Sequence, residues 1–80
     1  MSYLIILPRA VDFGTASVIP AAERGTVTVT LGTRSAVVPT ARAYTLIGQA
    51  GLPGITERPG TPAWRWQIRQ VASAVLGDWQ

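Results

Sequence analysis

Arg65, Trp66, Gln67, Arg69 and Gln70 form the stretch of this chain whose side-chain types and spacing are best suited to recognition chemistry. On a helix, Arg65 and Arg69 stand one turn apart and project together, with Trp66, Gln70 and Ser73 on the neighbouring face. Two guanidinium groups beside an indole can hold phosphate and stack on a base. The same set can anchor a protein interface, where tryptophan and arginine carry much of the binding energy. Arg65, Trp66, Arg69 and Gln70 are therefore the candidate partner-binding residues. The competing reading is a plain helix surface, with solvated arginines and Trp66 packed under a loop.

Catalytic inventory is thin. The chain of 80 residues has no histidine, no cysteine and only four carboxylates, Asp12, Glu23, Glu57 and Asp78. Proton transfer near neutral pH, thiolate attack and paired-carboxylate chemistry draw on groups that are missing or scattered here. The serines Ser2, Ser17, Ser35 and Ser73 have no histidine or lysine to act as base. The segment GQAGLPG lacks the lysine and the strand-to-helix context of a phosphate-binding loop. Disulfides and cysteine- or histidine-ligated metal sites are excluded. The expectation is a protein that is not an enzyme, with no catalytic residues, cofactor or metal.

The balance of residue types bears on partners. Hydrophobic residues make up 48% of the chain and charged residues 14%, against roughly 25% charged in ordinary soluble domains. A domain this small buries only about 60–65% of the surface its unfolded chain exposes. Some of that apolar content is expected to be covered by another chain. The net charge of +3 comes from seven basic residues, all arginine, spread along the sequence rather than clustered. Nucleic-acid modules concentrate such charge, so nucleic acid is the second choice of partner. Tyr3, Leu4, Ile5, Ile6 and Leu7 form an apolar run that Pro8 and Arg9 end well short of a signal-peptide core or a membrane span. The expected location is the cytoplasm or a virion, with no membrane contact.

These features must be positioned by a small set of elements. In residues 26–31, TVTVTL, strict alternation puts Val27, Val29 and Leu31 on one face and threonines on the other. Gly32 and Thr33 supply a turn, and residues 35–38 return until Pro39, with Val29 facing Ala36 or Val38. The run from Tyr3 to Leu7 has no alternation and reads as a strand buried on both faces, so these five residues are the candidate oligomer interface. Residues 14–19 and the group Ala43, Tyr44, Thr45, Leu46 and Ile47 are further strand candidates, the latter ended by Gly48. Residues 1–47 thus read as a β part and residues 48–60 as a glycine- and proline-rich connector. Residues 61–77 read as a helix capped by Thr61 with Pro62 in its first turn. Trp64, Ile68, Val71 and Val75, with Trp79 one step further, make its apolar stripe, and Gly77 is its expected C-terminal cap.

The expected fold class is α+β: a small antiparallel sheet or open barrel of four to five strands with one C-terminal helix packed on it. Short length, absence of cysteine and histidine, the hairpin TVTVTLGTRSAVV, the flexible Gly/Pro arm and the small terminal helix give a general texture. In that texture the chain resembles the small accessory proteins of tailed-phage virions, of the capsid decoration or head–tail joining type. The resemblance implies an oligomer, often a trimer in decoration proteins, bound to a shell of major capsid protein. The leading functional expectation is a non-enzymatic structural module in a homo-oligomeric assembly. A small nucleic-acid-binding protein using the helix arginines comes second, and an inhibitor or modulator of a host protein acting through the connector comes third.

Overall fold

The computed structural model describes residues 10–12 and 14–78. Six elements follow one another: β1 (Ala10–Asp12), β2 (Ala16–Pro20), β3 (Thr26–Leu31), β4 (Arg34–Pro39), α1 (Thr40–Gln49) and α2 (Pro62–Asp78). The strands form one antiparallel sheet in the order β1-β2-β3-β4. The fold is α+β, an open four-stranded sheet carrying the C-terminal helix as expected, together with a second helix. The candidate interface strand formed by Tyr3, Leu4, Ile5, Ile6 and Leu7 lies outside the described residues, as does Trp79.

The β3–β4 hairpin follows from its alternation. Val29 pairs with Ala36 and Leu31 with Arg34, leaving Gly32 and Thr33 as a two-residue loop. Gly32 takes φ +64°, the left-handed conformation that a tight hairpin loop asks of a glycine at its first position. Val18, Val27, Val29 and Val38 point to one side of the sheet and are buried. The other side carries Val11, Ser17, Ile19, Thr28, Thr30 and Val37, none of which is buried.

Residues 43–47 are helical, which corrects the strand expectation and shortens the β part to end at Pro39. In a strand the apolar side chains of Ala43, Leu46 and Ile47 would split between two faces. At i, i+3 and i+4 they share one helical face, and all three are buried. Gly48 lies inside α1 rather than ending a strand. The helix stops instead at Gly51, φ +76°, where Gly51 N–H donates to the Gly48 carbonyl at 3.0 Å and Leu52 N–H to the Ile47 carbonyl at 3.1 Å. This pair of bonds is the Schellman arrangement that satisfies the last carbonyls of a helix.

Helix α2 begins as its sequence indicates. Thr61 Oγ1 accepts a hydrogen bond from Trp64 N–H at 3.2 Å, with Pro62 in the first turn. Trp64, Ile68, Val71 and Val75 are buried against the sheet, joined by Ala72 and Leu76. Gly77 does not cap the helix, which runs on to Asp78. Its C-terminal end is served from the hairpin, where Arg34 Nη2 donates to the Leu76 carbonyl at 2.8 Å. A cation there also opposes the negative end of the helix dipole.

Candidate interaction surface on helix α2

The inner face of α2 is committed to the core, so its chemistry-bearing side chains lie on its flanks and outer face. On the flank over β1, Arg69 Nη2 stands 3.2 Å from Asp12 Oδ2, and Arg65 Nε stands 3.8 Å from Asp12 Oδ1. Arg69 Nε also donates to Thr15 Oγ1 at 3.2 Å. The Asp12 side chain is 1% exposed, while those of Arg65 and Arg69 are 49% and 46% exposed. Neither carboxylate oxygen receives a hydrogen bond of good geometry. Among the described residues, the charge facing this buried carboxylate comes from two half-solvated cations.

On the opposite flank, Gln67 ties the connector to α2. Its Oε1 accepts from the backbone N–H of Thr56 and of Glu57, both at 2.9 Å, and its Nε2 donates to Thr56 Oγ1 at 3.1 Å. Ile55 is buried in the core beside these contacts, so the connector is folded onto its own domain. Replacing Gln67 with alanine is expected to remove both of these hydrogen bonds and cost about 1–2 kcal/mol. Limited proteolysis should then cut within residues 52–58 about five- to thirtyfold faster, since a 1.4 kcal/mol rise in opening is a factor of ten. Unchanged cleavage would mean that Ile55 alone holds the segment.

Between these flanks Trp66 is 61% exposed. It sits where two shallow concavities meet, at Leu52, Trp66 and Gln70. One extends toward Pro53, Glu57 and Ala63, the other toward Arg69, Ser73 and Ala74. The four candidate residues therefore occupy one neighbourhood but divide by role. Arg65 and Arg69 face Asp12, Trp66 and Gln70 line the groove, and Arg69 reaches both. Asp12 and Thr15 were not singled out by sequence reasoning, and Gln67, though part of the recognition stretch, was given no role. Asp12 left one signal, a lone carboxylate among Ala10, Val11 and Phe13; nothing local showed that Gln67 would bind the connector.

Among the described residues no group of three or more histidine, cysteine or acidic side chains could hold a metal ion. Among the same residues no helix is long and apolar enough to cross a membrane. Comparison of the chain with protein-family models, with curated proteins and with solved structures finds no match.

Proposed function

We propose that this protein is a non-enzymatic structural module that assembles with copies of itself and with a larger protein assembly, of the kind formed by the shell or the head–tail joint of a tailed phage. The observation that carries this reading is a pair of surfaces on opposite sides of the domain that, among the described residues, present exposed apolar side chains. On the helix side stands Trp66 in its groove. On the sheet side Ile19 and Val37 flank Thr28 across β2, β3 and β4, and are 36% and 52% exposed. The strand residues on that open face include no charged side chain. The solvated face of an antiparallel sheet ordinarily carries polar and charged residues, whereas depletion of charge marks the centres of protein interfaces. A component contacted from both sides, by its own copies and by a host assembly, accounts for both surfaces.

Nucleic-acid binding through α2 is less well supported. Asp12 offsets part of the charge of Arg65 and Arg69 and turns their guanidinium groups toward β1, which leaves fewer donors for phosphate.

Solution mass by light scattering at low and high salt, with the 260/280 nm absorbance ratio, tests the proposal. A salt-resistant oligomer free of nucleic acid is the expected result. A monomer at every concentration would refute self-assembly. A nucleic-acid complex that dissociates with salt would favour the second reading, because counterion release makes such affinity steeply salt-dependent.

A further inference from the structure

The sheet ends on β4, and among the described residues this strand pairs on one side only, with β3. One bond just past its end shows which of its backbone groups face outward. Thr40 N–H donates to the Gly25 carbonyl at 2.9 Å, continuing the register that pairs Pro39 with Thr26 and Val38 with Val27. Hydrogen-bonded and non-bonded pairs alternate along an antiparallel ladder. Arg34, Ala36 and Val38 therefore bond to β3, whereas the N–H and C=O groups of Ser35 and Val37 point away from it. Pro39 points away as well, but has no N–H to give.

Proteins ordinarily blunt such an edge with charges, bulges or proline. Here the strand is six residues long, its register with β3 runs without a bulge, and residues 35–38 carry no charge. Arg34, its one charged residue, is drawn to the Leu76 carbonyl. Ser35 and Val37 are both exposed, and Val37 at 52% is the most exposed large apolar side chain of the sheet.

The spacing of these groups is self-complementary. Two β4 strands set antiparallel about a two-fold axis at Ala36 place Ser35 of each copy opposite the partner's Val37. Each of those pairs exchanges two N–H···O bonds, since both members face outward. A shift of two residues one way brings Thr33, in the hairpin loop, opposite Val37. The same shift the other way brings Pro39, without a donor, opposite Ser35. On the axis Ala36 meets its own copy in a non-bonded pair, where Cα atoms come within about 4.5 Å and a small side chain fits. The two Arg34 residues stand four positions apart along the strand direction, roughly 14 Å, so like charges do not meet. We infer that the outer edge of β4 pairs with the same edge of a second copy, joining two four-stranded sheets into one continuous sheet. This rests on the proposed function and deepens it, assigning the self-contact on the sheet side to a strand edge. The uncharged open faces of the two copies then run together across the axis, and offer the larger assembly one wider surface.

The test is the solution mass of the full chain over a concentration series, for wild type, Val37→Pro, Val37→Thr and Ile19→Thr, with circular dichroism to confirm the fold. Proline at an outward-facing edge position removes only the N–H that serves the partner. The wild type should be a dimer or a higher even-numbered oligomer. Val37→Pro should raise its dissociation constant at least about 30-fold, because it takes a donor from both pairs. The two threonine variants keep every edge donor and should stay within about threefold of wild type, because backbone bonds carry a strand-to-strand contact. The chain has no cysteine, so Ala36→Cys adds a reading of the register. Under oxidation it should give a covalent dimer, since directly opposed residues have the Cα separation that a disulfide spans, while Ile19→Cys should not. Should Val37→Pro unfold, this cysteine pair decides alone. An oligomer that survives Val37→Pro, that weakens as much in the threonine variants, or that cross-links through Ile19→Cys but not Ala36→Cys would overturn the edge assignment and leave self-assembly standing. An odd-numbered ring would overturn the two-fold pairing. A wild type monomeric at every concentration would defeat the proposed function itself, and this inference with it.

Discussion

Replacing Arg65 and Arg69 together with alanine is expected to lower the free energy of unfolding by about 3–5 kcal/mol, because it strands a buried carboxylate. Asp12 is 2% exposed, its oxygens lack hydrogen bonds of good geometry, and the two arginines supply its compensating charge. Breaking a buried pair from the exposed side leaves that charge in a poor solvent, whereas removing the buried member releases two cations already half in water. Adding Asp12→Ala to the doubly substituted chain should therefore recover about 2 kcal/mol, less the small cavity left by the missing side chain. Urea denaturation of the three proteins at one protein concentration reads this coupling directly. No recovery would mean that the arginines stabilise by packing their aliphatic stems on the sheet rather than by charge. The same result bears on function. A loss of partner binding in the Arg65→Ala/Arg69→Ala variant cannot be ascribed to lost contacts until its fold has been measured.

Ile68→Ala is expected to cost about 3 kcal/mol, the middle of the range for emptying a buried aliphatic position. Ile68 is fully buried on the inner face of α2, between the turns that carry Trp64 and Val71, and the helix contacts all four strands. For a chain of 80 residues, total stability at about 0.05–0.15 kcal/mol per residue is only about 4–12 kcal/mol. One missing side chain there should lower the melting temperature by about 12–24 °C. Trp66→Ala, two positions away in the same helix, removes a larger side chain that is mostly in water. It should change monomer stability by no more than about 0.5 kcal/mol. Thermal melts followed by circular dichroism, at one low concentration so that association does not add to apparent stability, separate the two. A small effect of Ile68→Ala would show that α2 is not seated on the sheet as described. A large effect of Trp66→Ala would mean that its indole is needed within a single chain.

The contrast between these two residues also marks what could be read from the chain alone. The 26–38 hairpin was legible because alternation in TVTVTL and a glycine at the loop are local signals, and the structure keeps both. The start of α2 was legible for the same reason, Thr61 and Pro62 acting within one turn of themselves. The group Ala43 to Ile47 misled because a short apolar run fits either period. What decides it is packing: the helical face gathers Ala43, Leu46 and Ile47 toward α2 and the sheet, and Gly51 with Leu52 closes the end. The C-terminal end of α2 misled differently. Gly77 is a reasonable terminator, but Arg34 reaches the last turn from a residue more than forty positions earlier in the chain, and no local rule anticipates that contact.

In the candidate site, Arg65, Trp66, Arg69 and Gln70 could be named from composition and helical spacing, since the sequence determines which side chains share a helix and at what angular separation. It determined as well the absence of histidine and cysteine, and with it the narrow range of chemistry open to the chain. Only the tertiary structure decided which of those side chains face inward to Asp12 and which stay in water. It alone placed Gln67 against residues 56 and 57, and it alone set Glu57 and Arg69 on either side of Trp66. The physical reason is range. Helix periodicity, capping and turn conformation act over a few residues, whereas burial, charge compensation and groove shape depend on which distant segments the core draws together.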